Sequence, residues 1–365
     1  MKRRDFLAGI GGATTLAACS PASDDGPGEA ASQERFSWKI VTTWPPNFPG
    51  LGTGVNTLAR HIEEMSAGRL RITVYAAGEL IPAFEVFDAV SRGSAEMGHG
   101  AAYYWRGKAE ASQFFASMPF GLNAHEMNGW LYYGGGLELW RELYEPFNLV
   151  PFPAGNTGVQ TGGWFNRPIE SVSDLRGLKM RIPGIGGEVL NLAGGTPVNL
   201  PGSEIFTALQ TGSIDAAEWV GPYNDVAAGL HQAARYYYYP GWQEPGPTLE
   251  CIINGDAWSS LPDDLKAIVA VACQAVNLDM TAEFMARNAR SLEQLEADDS
   301  VEIRAFPDEV LAELKRLTLQ VVDDMAARDP MAAKVWESYR AFLQQSERWQ
   351  KISEQAYLST RDVPE

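Results

Sequence analysis

Four short segments, rich in mixed polar and aromatic residues, each read as a strand or strand end and carry ionisable or amide side chains. They are GNTGVQTGGWF (155–165), LKMRIPG (178–184), EWVGPY (218–223) and YYYYPGWQEPGPT (236–248). Together they hold Asn156, Gln160, Arg181, Glu218, Trp219 and Glu244. A charge on a strand destined for the interior is costly unless it is paired. One arginine and two glutamates leave one carboxylate over. Two facing carboxylates could do acid/base work on a glycosidic bond, with Glu218 and Glu244 in those roles. Plainer readings stand beside this one. Arg181 could form a structural ion pair with a glutamate, Gln160 could satisfy a backbone group, and Glu244 could be solvated in its Pro/Gly-rich turn. Trp164, Trp242 and most of Tyr236–Tyr239 read as packing residues.

Other enzyme signatures are missing from the sequence. The four histidines, His61, His99, His125 and His231, are not spaced as a zinc pair. There is no nucleophile elbow and no phosphate loop with its lysine. GIGGEV (184–189) is a weak match to a dinucleotide turn, and turn geometry explains its glycines. The net charge of −17, from 29 basic and 46 acidic residues, excludes nucleic acid and anionic membrane surfaces as partners.

The elements that must position these residues read as α/β. SWKIVTTW (37–44) and RLRITVYAAG (69–78) have strand character. GVNTLARHIEEMSAG (54–68) and AFEVFDAVSRG (83–93) have helical periods, each closed by glycine. At 365 residues and 45% hydrophobic, the chain can bury the cores of two lobes. A repeat supports two. EVFDAVSRGSAEMGHG from Glu85 and EIFTALQTGSIDAAEW from Glu204 align at an offset of 119 (204 − 85). They match at Glu85/Glu204, Phe87/Phe206, Ala89/Ala208, Gly93/Gly212 and Ser94/Ser213, and Tyr104 falls opposite Tyr223. Each copy reads as helix, Gly-Ser turn and strand. The strand ends, His99–Tyr104 and Glu218–Tyr223, should then face one cleft, because open α/β sheets bind ligands beyond the carboxyl ends of their strands.

The last third reads as long helices, the first capped by Ser260 with Pro262, Asp263 and Asp264 in its first turn. Cys251 and Cys273 are expected as buried free thiols. The N-terminus reads as a targeting segment. Arg3 and Arg4 resemble a Tat export signal, and LAACS resembles a lipobox that would place a lipid on Cys19. Residues 20–35 are expected as a flexible tether.

The four segments, with SWKIVTTW, AAGELIPAFEVFDAV, PFGLNAHEMNGW and YYGGG, resemble the extracytoplasmic solute-binding proteins of TRAP transporters, of the DctP type. The resemblance covers nearly all of the mature chain and is greatest to the branch that binds 2-oxo acids and lactate. It implies a two-lobed clamp like the type II periplasmic binding proteins, with hinge strands, a long bridging helix and C-terminal helices. The implied division is a signal at 1–19, lobe 1 at 36–157 and 250–335, lobe 2 at 158–249, and a helical region at 336–365. Arg181 would bind the substrate carboxylate, its planar fork suiting two oxygens. A Na⁺ or Ca²⁺ ion would bridge protein and substrate, held by Gln160, Glu218, Glu244 and the Trp219 carbonyl, all oxygen donors. Asn156, Tyr103 and Tyr104 would meet the remaining substrate oxygens, and Trp44 would cap the pocket. Two glutamates, a substrate carboxylate and Arg181 sum to −2, which Na⁺ takes to −1 and Ca²⁺ to 0. The implied partners are a small carboxylate, the transporter's membrane subunits and a second copy of the chain, in a periplasmic location with no catalytic role. Dicarboxylates and sugar acids are the alternative ligands. Gln243 and Pro245 stand where close relatives often have an aromatic and a glycine, which bears on the Glu244 loop.

Overall fold

A computed structural model describes residues 34–362. The twin-arginine segment, Cys19 and the tether up to residue 33 lie outside the described residues.

Among the described residues, eleven strands form two sheets. They are β1 (Phe36–Thr42), β2 (Leu70–Tyr75), β3 (Met97–Gly100), β4 (Leu149–Asn156), β5 (Gly163–Phe165), β6 (Lys179–Arg181), β7 (Thr196–Val198), β8 (Ala216–Ala217), β9 (Tyr236–Tyr239), β10 (Thr248–Asn254) and β11 (Glu302–Ala305). The first sheet runs β2-β1-β3-β10-β4 and the second β11-β9-β5-β8-β6-β7. Apart from β11, the second is the first over again. β2, β1 and β3 pair in parallel, then β10 and β4 join antiparallel. In the same way β7, β6 and β8 pair in parallel, then β5 and β9 join antiparallel. The repeat seen in the sequence supplies β3 and β8, which hold equivalent places. Its turns match in detail. Gly93 and Gly212 have φ of 72° and 71°, the left-handed region that glycine enters without strain. Their N–H groups donate to Val90 and Leu209 at 3.0 and 3.2 Å.

β4 and β10 are near-continuous apolar runs and are buried almost throughout, as central strands must be. The chain leaves β4 for β5 through 157–162 and returns from β9 to β10 through 240–247. The helix Asp263–Glu296 packs on β4 and β10 and on the helix Leu51–Met65 from the first sheet's layer, and also on Pro222–Ala227 from the second. It thus bridges the two. The helix Asp308–Arg328 packs against Gly184–Leu192, and Pro330–Ile352 packs against it and against Gly136–Tyr144.

Two expectations need correction. β11 pairs with β9 in the second sheet, although 250–335 was assigned to the first lobe. Ser260 ends the helix Gly255–Ser260 rather than capping the next one, which starts after Pro262 with Asp263 and Asp264 in its first turn. Cys251 and Cys273 are free and buried.

Behind the turn Ala102–Trp105, which carries Tyr103 and Tyr104, lies the carboxylate of Glu250 on β10. It accepts from the Trp105 indole and from the Tyr144 hydroxyl, the latter at 2.9 Å. Burial raises its pKa from 4.5 to about 7 against those two bonds. The folded protein therefore keeps a proton here that the unfolded chain loses. The stabilisation is full below pH 4.5 and is lost as pH rises through about 7. Glu250→Gln should remove this slope, gaining about 3 kcal/mol on the wild type between pH 5 and pH 8 in urea unfolding.

Candidate functional site

The site is built on the two crossings between the sheets. Gln160 N–H donates to the Glu244 carbonyl and Gly241 N–H to the Gln160 carbonyl, both at 3.1 Å. The Gln243 amide donates to the Thr161 carbonyl at 2.8 Å. A side chain at 241 would overlap the Gln160 carbonyl, so only glycine allows this approach. Asn156 closes the lower end. Its amide donates to the Gly246 carbonyl at 3.0 Å, and its oxygen accepts from Gly158 N–H at 2.8 Å. Its polar atoms are thus engaged by the hinge backbone.

Arg181 ends β6 and is 1% exposed. Its Nη1 donates to the Glu218 carbonyl at 3.1 Å and to the Glu218 carboxylate. Nη2 donates to the Tyr104 hydroxyl at 3.3 Å, reaching from the second sheet to the turn after β3. The guanidinium lies 5.2 Å from the Trp219 ring, a cation–π distance. Phe48 meets the same ring edge-on at 6.0 Å. Trp44 stands behind Tyr104 at 6.5 Å and spends its indole N–H on His99 Nδ1 at 2.8 Å. His99 Nε2 faces the Ala154 carbonyl, and burial lowers the ring's pKa to about 4, so the imidazole is neutral.

Glu218, Glu244 and Gln160 are 0%, 3% and 5% exposed. Burial raises Glu218 to a pKa of about 7 although Arg181 opposes it. Burial, then the Glu218 charge, push Glu244 well above the carboxylate range, and Arg181, Tyr103 and Gln160 offset part of this. Among the described residues, Gln160 Oε1, Glu218 Oε2 and Glu244 Oε2 are buried without a hydrogen-bond partner. Such groups are costly to bury unpaired. Three oxygens, two of them from carboxylates, are the donor set of a hard cation. No three His, Cys, Asp or Glu side chains cluster among the described residues, and the third oxygen of this trio comes from an amide.

The family model for bacterial extracellular solute-binding proteins, family 7 (DctP), matches residues 40–329. The chain belongs to the DctP family. A monocarboxylate 2-oxoacid-binding periplasmic protein of Nostoc sp. is 43% identical over 360 residues, 98% of each chain. Two solved TRAP periplasmic solute-binding proteins share the fold at TM-scores of 0.87 and 42% identity. One, from Colwellia psychrerythraea, holds calcium and pyruvate, and the match covers 90% of this chain and 100% of that one. The other, from Pseudoalteromonas atlantica, holds sodium and pyruvate, with 89% and 99% covered. The two-sheet architecture is thus that of a DctP clamp, and the family is extracytoplasmic.

Around this DctP site lie residues that sequence reasoning missed. Asp225 is buried and accepts from Val220 N–H and Gly221 N–H at 3.2 Å, the Trp164 indole at 3.0 Å and the Tyr237 hydroxyl at 2.9 Å. Burial still raises its pKa to about 6. Thr161 on the crossing donates to the Tyr237 hydroxyl at 2.9 Å. Asp225 therefore ties the Glu218–Gly221 loop to the hinge. The signal was in EWVGPYND, where a carboxylate seven residues after Glu218 follows a Gly-Pro turn. Asp225→Ala should cost about 3 kcal/mol or more in urea unfolding, because four donors lose their acceptor. Asp225→Asn, keeping one oxygen, should cost less.

Proposed function

We propose that this DctP protein binds a small 2-oxo or 2-hydroxy monocarboxylate, of the size of pyruvate, 2-oxobutyrate or lactate. It does so through Arg181 and a bridging Na⁺ or Ca²⁺, and delivers the ligand to the membrane subunits of a TRAP transporter. The observation that carries this reading is the trio of unpartnered buried oxygens on Gln160, Glu218 and Glu244 beside Arg181. The Trp219 carbonyl completes the proposed cation set. Tyr103 and Tyr104 are the proposed partners of the substrate's other oxygens, while Asn156 holds the hinge. The ligands of the two solved relatives support the same class. The protein binds and releases without chemistry. A second substrate carboxylate would meet two buried glutamates, which disfavours dicarboxylates. The exposed Trp349, Ile352, Tyr357 and Leu358 on the C-terminal helices support the reading of a homodimer. Lipid attachment at Cys19 remains a proposal of the sequence alone, and the mass of the mature protein would test it.

A ligand that binds only the native state raises the melting temperature according to its affinity. Pyruvate or lactate should raise it with Na⁺ or Ca²⁺ present, and chelation in sodium-free buffer should remove most of the shift. Succinate or a sugar acid giving the larger shift would overturn the ligand class. Arg181→Ala should weaken monocarboxylate binding about 100-fold in calorimetry. Normal binding by that variant would overturn the assignment.

A further inference from the structure

Arg181 has little left with which to hold a substrate. A guanidinium carries five N–H donors. The Nε–H goes to the Leu200 carbonyl at 3.3 Å. Both Nη1 hydrogens go to Glu218, one to its backbone carbonyl and one to its carboxylate. One Nη2 hydrogen goes to Tyr104. A single N–H remains, whereas a forked grip on a carboxylate needs two parallel ones. The positive charge is also matched already by Glu218, so an arriving carboxylate would meet a neutral pair. The other Glu218 oxygen, Oε2, is buried without a partner and belongs to the trio with Gln160 and Glu244.

We propose that Glu218 occupies Arg181 until a cation binds, and that the cation, by drawing the Glu218 carboxylate to itself, frees Nη1 for the substrate. This rests on the function proposed above. Glu218 is then an exchangeable counter-ion as well as a cation ligand, and it imposes an order: cation first, carboxylate second. Glu244 differs, because it is a buried carboxylate of the same site without a hydrogen bond to Arg181. The coupling must be reciprocal, so substrate strengthens cation binding by the factor by which the cation strengthens substrate binding.

Calorimetry with pyruvate, in sodium-free chelated buffer and again in saturating Ca²⁺, tests this on the wild type, Glu218→Gln, Glu218→Ala and Glu244→Gln. Melting curves check that each variant is folded. The wild type should bind about tenfold or more weakly without cation. Both Glu218 variants should bind pyruvate in chelated buffer more tightly than the wild type does there, and Ca²⁺ should no longer help them. Glu244→Gln should lose the response to Ca²⁺ without this gain. An equal gain from Glu244→Gln would mean that lost negative charge alone explains the effect, and would overturn the proposal. So would Glu218 variants that bind no better than the wild type in chelated buffer. Should both Glu218 variants fail to fold, the wild type alone decides, because equal pyruvate affinity with and without Ca²⁺ overturns the proposal. A wild type that binds no 2-oxo acid even in saturating Ca²⁺ would overturn the functional reading as well.

Discussion

A buried arginine set against two buried glutamates is the constraint around which the molecule is arranged. Taking an ion out of water costs several kcal/mol even after relaxation, and attraction returns this only with good geometry and further hydrogen bonds. Arg181 meets that condition through Glu218, Tyr104, Leu200 and the Trp219 face. Glu244 does not, because burial and Glu218 both push it toward the protonated form. A chain selected for stability alone has little reason to retain such a group. A chain that must capture a cation has every reason, because an oxygen already stripped of water and held in place loses little on coordination.

The scaffold follows from that need. Gln160 and Glu244 lie on the two crossings, whose backbones bind one another at 3.1 Å. Glu218 and Trp219 follow β8, held by Asp225, which in turn reaches the crossing through Tyr237 and Thr161. Tyr103 and Tyr104 come from the turn after β3, the strand equivalent to β8. The duplicated topology explains the convergence: β3 and β8 are copies, and the ends of both meet at the line where the sheets join.

Much of this was legible in the sequence. The strands β1 and β2 overlap SWKIVTTW and RLRITVYAAG, the two runs that read as strands. The repeat is carried by glycines whose left-handed φ leaves few substitutes. Arg181, Glu218 and Glu244 stood out because a charge in an apolar strand demands an explanation. Arg181 makes the ion pair with Glu218 that one reading gives it, within the candidate site that the other describes. Other features were hidden for physical reasons. β11 is a four-residue edge strand whose partner β9 lies more than sixty positions earlier, and no local pattern encodes that pairing. Asn156 enters as a substrate contact only through the resemblance, whereas its bonds to the Gly246 carbonyl and from Gly158 N–H arise from backbone brought close by the fold. Tyr237 reads as a packing residue, and its joint role with Asp225 exists only in three dimensions.

The placement of the groups also bears on release, without which a delivery protein is useless. Rotation about the crossings would carry Arg181, Glu218 and Trp219 with the second sheet and Tyr103 and Tyr104 with the first. The contacts that span the cleft include Arg181 to Tyr104 at 3.3 Å, Asn224 to the Pro49 carbonyl at 2.9 Å, Phe48 on Trp219, and Arg106 and Gln113 to Glu188 at 3.1 and 3.4 Å. Opening would break these while leaving Gln160 and Glu244 at the axis, joined by backbone bonds that a hinge need not break. With the site proposed above, opening would divide the substrate's grip and leave the Gln160 and Glu244 share of the cation's intact. A clamp so divided could discharge its carboxylate while the buried Gln160 and Glu244 oxygens stay together at the crossings.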